Sequence, residues 1–391
     1  MAMPAAALVK HPEPLRLQYL DHLKAFLIIL VVLHHAGQPY GPGGWWYVPN
    51  PQRTSLLGPF FWLNASYFMG LMFFVSAYFL PRSFDRKGAV RFLKDRFSRL
   101  GVPLLVFFVA IIPAMTYLSY IKFRGGSLPF LAYYTQVYFG AGGRPPGWPG
   151  PTWPDMQFGH LWFVEHLLLY AVLYTLLRLV VPATAAVRQP RQGRLPGDGY
   201  LVAYALLMSA VALAVRIWYP VDTWVGLLGF IQIEPAHLPQ YLSMFVLGII
   251  AYRRGWLDEI PLRRGVRWLT VGLVAFVIGV LLPLSAWRGE VAAYIIRTFA
   301  EGFVAVGMSV GWLAIFKAVV NRSTHLWQAL SANAYAMYLF HVPVLVALQY
   351  ASLLVPGSPL LKFALVGVLG VPLTFALSHL LRLFPYARSI L

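Results

Sequence analysis

Apolar residues follow one another along this chain in blocks of about 20 residues, separated by segments rich in charged residues, glycine and proline. An α-helix rises 1.5 Å per residue, so about 20 apolar residues cross the roughly 30 Å hydrocarbon core of a bilayer. The pattern predicts an all-α, polytopic transmembrane helical bundle of about ten helices. The predicted spans are residues 20–37, 56–80, 101–121, 159–182, 200–219, 239–253, 266–287, 291–316, 325–350 and 359–385.

Two segments outside the predicted spans have a distinct character. Residues 122–158 contain the run GGRPPGWPGP, which predicts an irregular outer loop. Residues 1–19 hold no continuous apolar run of the kind found in cleavable signal peptides, so we expect a cytoplasmic N-terminal segment and a first helix that stays attached. The pattern predicts a single membrane domain over residues 1–391.

The composition agrees with a membrane protein. Hydrophobic residues make up 59% of the chain, charged residues only 11%, and the mean hydropathy is +0.65. An ordinary soluble domain has roughly 25% charged residues, so that class is excluded. The chain has no cysteine, which excludes disulfides, thiolate catalysis and cysteine-ligated metals. We expect no metal and no permanently bound cofactor.

Lysine and arginine are concentrated in alternate loops, which predicts the orientation because cytoplasmic loops retain positive charge. The residues assigned to this side are Lys10, Arg16, Lys24, Arg82, Arg86, Lys87, Arg91, Lys94, Arg96, Arg99, Arg188, Arg191, Arg194, Arg253, Arg254, Arg263, Arg264 and Arg267. We therefore expect a multi-pass protein of the inner (plasma) membrane with both termini in the cytoplasm. The net charge of +18 is then explained by basic loop residues that lie beside anionic lipid headgroups, and it does not indicate nucleic-acid binding.

Polar residues inside the first predicted span are candidates for chemistry, because such residues are costly in hydrocarbon. Lys24 and His35 are 11 residues apart, which places them on one helix face within about 20° and separates them by about 16 Å along the axis. We therefore expect the Lys24 cation near the cytoplasmic end of this helix and the His35 imidazole in the outer leaflet. His34 is turned by about 100° from that face. The alternative is that Lys24 extends its amine to the membrane edge while His34 and His35 cap the helix.

Two other spans carry histidines to the same depth. With the predicted orientation, the fourth span begins in the outer leaflet with His160 and Glu165, and the ninth brings His341 to the outer half, one turn above Tyr338. Three helices are therefore expected to place imidazoles at one level.

Two charged pairs can be explained without a catalytic or binding role. Arg297 and Glu301 are four residues apart in the eighth span, so we expect them to neutralise each other as a structural pair. Arg96 and Arg99 lie on one helical face before the third span, and two guanidinium groups in that arrangement suit phosphate. Ordinary positive-inside anchoring would account for the same two charges.

Several motifs together resemble the acyltransferase 3 family of integral membrane proteins over nearly the whole chain. They are YLDHLK (19–24) with VVLHH (31–35), FFVSAY (73–78), RFSR (96–99), HLWF (160–163) and SANAYAMYLFH (331–341). The first motif departs from the family pattern, since Lys24 stands where the family has arginine. Ala77 likewise stands where the family has glycine. The length and loop arrangement are also similar to the branch that succinylates periplasmic glucans.

The resemblance implies transfer of an acyl group, of acetyl or succinyl type, from cytoplasmic acyl-coenzyme A to a hydroxyl of a sugar, glycan or lipid-linked saccharide at the outer face. It implies a general base at His35, which must be deprotonated, and we expect a neighbouring Glu165 to favour the charged imidazole. The expected catalytic residues are His35, Glu165 and His341. The expected substrate-binding residues are His34, Ser76, His160, Trp162 and Tyr338. The expected donor-binding residues are Lys24, Arg96 and Arg99.

Two other classes of protein are alternatives to an acyltransferase. A polyprenyl-phosphate glycosyltransferase usually needs an acidic residue in its first outer loop, yet residues 38–55 contain no Asp or Glu. A multi-helix transporter or exporter of a small anionic or glycan-linked substrate is the stronger alternative, because polar groups at two depths could line a permeation path. Transporters often show inverted repeats or broken helices, and the sequence pattern indicates neither.

Overall fold

The computed structural model describes residues 17–181, 193–227, 231–322 and 324–391. Most of the predicted N-terminal segment, including Lys10 and Arg16, lies outside these ranges, as do Arg188 and Arg191. The α-helices are α1 (Gln18–Gly37), α2 (Gly58–Tyr78), α3 (Leu80–Arg96), α4 (Val102–Val106), α5 (Ile112–Phe123), α6 (Phe130–Ala132), α7 (Trp162–Val180), α8 (Asp198–Arg216), α9 (Leu238–Arg254), α10 (Leu262–Phe276), α11 (Leu284–Arg288), α12 (Glu290–Val319), α13 (His325–Ser352), α14 (Pro359–Leu381) and α15 (Pro385–Ile390).

The helices confirm the predicted polytopic bundle. Within the described ranges, nine helical stretches are long and apolar enough to cross a membrane. A tenth helix, α9, has 17 residues and coincides with the sixth predicted span, which was also the shortest by sequence. Each of the ten predicted spans therefore coincides with a helix.

The third span differs from the prediction because it belongs to a longer helical stretch, Leu80–Phe123. Its first part, α3, carries most of the charged residues, and its apolar part alternates α-helix with two π-helical turns, Phe97–Gly101 and Phe107–Ile111. Pro103 and Pro113 lie just after these turns. Since proline has no N–H to donate, the ordinary ladder of hydrogen bonds cannot run through either position unchanged.

The seventh span was predicted to continue to residue 287, and this was wrong. The helix that starts as α10 ends with the π-helical turn Val277–Leu281, and the short α11 follows after Pro283. Proline restricts the preceding residue to extended conformations, and Leu282 has φ −83° and ψ 142°.

α1 lies in the middle of the bundle. It packs against α2, α12, α13 and α14, and its side chains Leu20, Leu23 and Leu27 have 0% exposure. A residue on almost any face of α1 therefore meets another helix, which is why the polar side chains of α1 can be held in defined positions.

α10 and α12 approach each other closely at a glycine contact. A Cβ atom on Gly307 would lie 2.5 Å from the backbone oxygen of Trp268 and 2.7 Å from the backbone nitrogen of Gly272. Small residues at such crossings allow membrane helices to pack by van der Waals contact.

Residues 122–158 are more regular than predicted. They contain α6 and the π-helical segment Tyr133–Tyr138, so the expectation of an irregular loop was wrong for its middle part. Arg124 donates two hydrogen bonds to the carboxylate of Asp155, of 3.1 and 2.7 Å, and Tyr133 donates a third of 2.6 Å. The Arg124 and Asp155 side chains are 4% and 0% exposed. This buried pair anchors the loop to the end of α5, and long-range pairing of this kind leaves no signal in the local sequence.

A small hairpin follows α8. Its strands β1 (Val225–Leu227) and β2 (Ile231–Ile233) are antiparallel, and they are the only strands in the described ranges. The side-chain oxygen of Gln232 accepts hydrogen bonds from the backbone nitrogens of Phe158 and Gly159, of 3.2 and 3.1 Å. The hairpin is thereby joined to the start of the fourth span.

Candidate active site

The two histidines that end α1 face different helices. The His34 ring packs against Phe61 and Phe68 of α2, with ring centroids 4.9 and 5.2 Å away. The His35 ring instead meets His341 of α13, at 4.9 Å between centroids. The predicted difference in direction between His34 and His35 is therefore present, and it separates a histidine in an aromatic environment from one beside a second imidazole.

The hydrogen bonds define which nitrogen of each ring carries the proton. His35 Nδ1 lies 2.9 Å from the carbonyl of Val31, and a carbonyl can only accept, so Nδ1 carries hydrogen. His341 Nδ1 donates in the same way to the carbonyl of Tyr338, at 2.6 Å. His341 Nε2 is then an acceptor, and it lies 3.2 Å from His35 Nδ1.

This arrangement leaves Nε2 of His35 with its lone pair. A neutral imidazole whose Nδ1 donates has an acceptor at Nε2, and within the described residues Nε2 makes no hydrogen bond. His341 and Val31 together hold the ring in this tautomer. The pair therefore presents an oriented base, the requirement for taking a proton from a hydroxyl.

His35 is also fixed by two residues that the sequence did not indicate. The Trp46 ring stacks on the His35 ring at 5.6 Å with an interplanar angle of 26°. Gln349 accepts a hydrogen bond from the Trp46 indole N–H, of 2.7 Å, and donates to the backbone carbonyl of His35, at 2.9 Å. Because Gln349 is 303 residues from Trp46, only the packing of α13 on α1 brings the three residues together.

His160 completes a row of three imidazoles. Its ring lies 5.0 Å from that of His341, and its Nε2 donates to the carbonyl of Leu339 at 2.9 Å. Its Nδ1 is buried and has no hydrogen-bond partner within the described residues. Tyr338 donates to the backbone carbonyl of His160, which joins α13 to the start of the fourth span. His35, His160, His341 and Tyr338 are thus brought together.

Glu165 and Trp162 lie in a different environment. One carboxylate oxygen of Glu165 faces the backbone N–H of Gln232 in the hairpin at 3.4 Å, and the other is buried without a hydrogen-bond partner among the described residues. Glu165 makes no hydrogen bond or electrostatic contact with His35, so the expectation that it would favour the charged imidazole was wrong. Trp162 stacks on Tyr241 at 5.2 Å. The face of α7 that carries Glu165 turns toward the hairpin.

Three predicted residues meet at the N-terminal end of α1. Lys24, Ser76 and Arg96 line a cavity of about 270 Å³, together with Asp21 and Phe79, and it is called the inner cavity after the predicted orientation of the chain. The Lys24 amine lies 4.5 Å from the centroid of the Phe79 ring and 3.9 Å from a carboxylate oxygen of Asp21. Ser76 was predicted to bind substrate, and it faces this inner cavity instead of the histidines.

Arg99 does not line the inner cavity. It is exposed, one turn beyond Arg96, and its backbone carbonyl accepts a hydrogen bond of 2.6 Å from Tyr335. Between the cavity and His35, the side chains of Ile28 and Val31 are only 3% and 1% exposed. The stripe that joins the two ends of α1 is therefore part of the packed core.

Glu301 does not pair with Arg297, contrary to the prediction. Both carboxylate oxygens of Glu301 accept hydrogen bonds of 2.7 Å from Arg216 at the end of α8. His237 lies 3.2 Å from Glu301 and 2.8 Å from Glu234, whereas Arg297 donates to the carbonyl of Gly279. The i, i+4 spacing permits a local pair, but a bidentate contact with an arginine on another helix is stronger.

The neighbouring carboxylates control the charge of His237. Burial disfavours the charged ring, but the ion pairs with Glu234 and Glu301 outweigh it and raise the pKa of His237 to about 10. Burial alone would raise the pKa of Glu234, but the ion pair with His237 outweighs burial and lowers it. The group is balanced in charge and joins α8, α9 and α12, so it serves the fold and not the histidine row.

Nine helices long and apolar enough to cross a membrane within the described residues, a hydrogen-bonded histidine pair at one end of the bundle and a basic cavity at the other end define a polytopic membrane protein with an oriented imidazole base. The chain belongs to the acyltransferase 3 family, whose model, described as an acyltransferase domain, matches residues 17–379. The resemblance inferred from the motifs is thereby confirmed.

Relatives of known name match nearly the whole chain. Proteins called "Glucans biosynthesis protein C" from Salmonella paratyphi B, Salmonella dublin and Salmonella heidelberg are each 24% identical over 392 residues, covering 94% of this chain and 93% of the relative. No solved structure gives a significant match.

Proposed function

We propose that this protein transfers an acyl group from acyl-coenzyme A, bound at the cytoplasmic face, to a hydroxyl of a glycan at the outer face. The observation that carries the proposal is the hydrogen-bonded pair His35 and His341, which orients Nε2 of His35 as a base. The family supplies the class of reaction, and the relatives named for glucan biosynthesis support a glycan as the acceptor.

The inner cavity is the proposed entrance for the donor. Lys24 and Arg96 supply positive charge for the phosphates of coenzyme A, and hydrogen bonds between charged partners of this kind are the strong ones. Lys24 and His35 are separated by 11 residues, or about 16 Å of helix. Since Ile28 and Val31 are packed between them, the donor arm can reach His35 along this face of α1 only if this contact opens.

In the proposed reaction, Nε2 of His35 takes the proton of the acceptor hydroxyl while its oxygen attacks the thioester carbonyl. An ester bond forms, the carbon–sulfur bond breaks, and the coenzyme leaves as a thiolate that takes the proton now held by Nε2 of His35, which restores the base. His341 keeps Nδ1 of His35 oriented, and it accepts part of the positive charge that develops on the ring through their hydrogen bond. No bound cofactor is required, because the donor itself carries the activated acyl group.

The test is turnover by the purified protein. Acetyl- and succinyl-coenzyme A with a radiolabelled acyl group are incubated with oligomeric glucans, and the label in the glucan and the released thiol are both measured. We expect equal amounts of the two products from the wild type and about 100-fold to 10,000-fold less of both from His35→Ala. Uptake of a glycan or an anion into vesicles, without release of thiol, would support the transporter and overturn the enzyme.

A further inference from the structure

Three arginines meet where the C-terminal end of the chain packs on the beginning of the third span. Arg382 directly follows α14, and α15, which carries Arg388, contacts the turn Phe97–Gly101 that contains Arg99. These residues come from segments almost 300 positions apart. Only Arg99 was indicated by a motif, and nothing in the sequence linked it to the C-terminal end.

Hydrogen bonds from α13 hold this arrangement in place. Tyr335 donates to the backbone carbonyl of Arg99 at 2.6 Å, and Arg382 Nη1 donates to the side-chain oxygen of Asn333 at 3.2 Å. Asn333 is 1% exposed, so one edge of the Arg382 guanidinium is fixed on the protein. The Nε of Arg382 is buried and has no hydrogen-bond partner within the described residues.

Among the described residues, the three guanidinium groups have no acidic partner. In the part of the chain that the structure describes, neither Arg99, Arg382 nor Arg388 forms an ion pair with a carboxylate. Burial, together with the positive charges of Arg388 and Arg99, lowers the pKa of Arg382. Like charges held together by the fold repel each other, and a multivalent anion would relieve that repulsion.

The position relative to the inner cavity suggests which anion is bound. Arg96 lines that cavity, and Arg99 lies one turn further along the same helix, outside it. Coenzyme A carries a diphosphate and, at a distance on its ribose, a separate phosphate with two titratable oxygens. A guanidinium group binds two oxygens of a phosphate at once, and three such groups match an isolated phosphate well.

We propose that Arg99, Arg382 and Arg388 form a phosphate-binding site distinct from the inner cavity. The phosphate group comes from one of two sources at the cytoplasmic face, the ribose phosphate of coenzyme A or the headgroup of an anionic lipid. The first source rests on the proposed function, and the second does not.

The experiment compares coenzyme A with 3′-dephospho-coenzyme A, which lacks only the ribose phosphate. Dissociation constants are measured by calorimetry on the full-length protein in nanodiscs of neutral lipid, for the wild type, Arg382→Gln and Arg388→Gln. We expect the wild type to prefer coenzyme A by about tenfold to a hundredfold. Both variants should lose most of this preference while their affinity for the dephospho compound changes less than twofold.

Two controls separate folding and lipid effects. Arg322→Gln removes an exposed arginine elsewhere in the chain and should keep the preference. Arg388 is exposed, so Arg388→Gln tests the site even if Arg382→Gln folds poorly. In a parallel arm, thermal unfolding is measured in nanodiscs with and without phosphatidic acid. The lipid is the source if two results are found together. Phosphatidic acid stabilises the wild type but neither variant, and the wild type binds the two nucleotides equally well.

The outcomes distinguish this proposal from the proposed function. If the wild type binds neither nucleotide, the acyl-coenzyme A donor is wrong, and the lipid arm alone decides on the phosphate site. If the wild type binds coenzyme A but the variants change neither the nucleotide preference nor the lipid effect, the phosphate site is overturned and the donor assignment stands. Equal weakening of both nucleotides in the variants would also overturn it.

Discussion

His35 Nδ1 and His341 Nε2 lie 3.2 Å apart, although the two residues are 306 positions apart in the sequence. The contact joins the first helix to α13, and the carbonyl of Val31 on one side and that of Tyr338 on the other fix the direction of both donors. On α1 alone, the His35 ring would be held only by its hydrogen bond to Val31. Here its orientation follows from the packing of two helices.

The first prediction concerns His341 as the partner of the base. In His341→Ala, His35 keeps its hydrogen bond to Val31 but loses the second acceptor, so we expect kcat to fall about 2-fold to 10-fold, the loss of one hydrogen bond. The KM for acyl-coenzyme A should stay within a factor of two, because His341 does not line the inner cavity. Steady-state kinetics with purified protein provide both values. A change in the KM for acyl-coenzyme A without a change in kcat would show that His341 binds the donor and does not assist the base.

The second prediction concerns the inner cavity. Arg96→Ala should raise the KM for the donor about tenfold, because a hydrogen bond to a charged phosphate is lost. Lys24→Arg should be tolerated, since the positive charge remains. Arg91→Ala serves as the control, because Arg91 is exposed on the same helix and does not line the cavity. Unchanged affinity for coenzyme A in Arg96→Ala would leave only a role in membrane anchoring.

A third prediction tests the orientation in the membrane. The chain contains no cysteine, so single-cysteine variants can be labelled without background. Gly44 is exposed in the loop after α1, and Val90 is 84% exposed on α3. A membrane-impermeant maleimide should label Gly44→Cys in intact spheroplasts and Val90→Cys only after permeabilisation. The reverse pattern would place His35 at the cytoplasmic face and refute the proposed direction of transfer.

A fourth prediction follows from the charge of His237. A group whose pKa is raised on folding stabilises the fold fully below its unfolded pKa, near 6.5, and loses that contribution as the pH rises through the folded value, about 10. His237→Gln should therefore lower the melting temperature most below about pH 6.5, and the difference from wild type should disappear above about pH 10.

Thermal unfolding at several pH values measures this difference. His325→Gln is the matched control, because His325 is exposed and forms no ion pair within the described residues. A destabilisation by His237→Gln that is the same at low and high pH would show that shape, not charge, accounts for the role of His237.

The sequence was sufficient for the bundle and for part of the site. Apolar block length located the helices because the bilayer demands it, and counting residues from the membrane edge put His35, His160 and His341 at one depth. Depth does not give the direction of a side chain around the helix axis. For that reason Glu165 was expected beside His35, whereas it faces Gln232.

Contacts between distant segments were beyond the local pattern. Glu301 was expected to pair with Arg297 because four residues separate them, but Arg216 on α8 offers a bidentate contact that only the packed bundle brings within reach. Trp46 lies in a loop without a recognisable motif, and its stacking on His35 depends on Gln349 of α13.

The last prediction compares the two neighbouring histidines. His35→Ala should lower turnover by about 100-fold to 10,000-fold, the usual contribution of a general base, while coenzyme A still binds. His34→Ala should have a much smaller effect, because its ring packs between phenylalanines of α2 and faces away from His341. Initial rates and donor affinity of the two purified variants, measured side by side, separate loss of chemistry from loss of fold.

The pH profile adds a second, independent criterion for the same assignment. Turnover should fall as the pH drops and His35 becomes protonated, because an imidazolium cannot accept the hydroxyl proton. Glu165→Gln should leave the position of this acid limb unchanged, since Glu165 makes no electrostatic contact with His35. A displaced limb in Glu165→Gln would mean that the carboxylate approaches the base during turnover. Wild-type activity in His35→Ala, or loss of activity in His34→Ala alone, would assign the base to another residue.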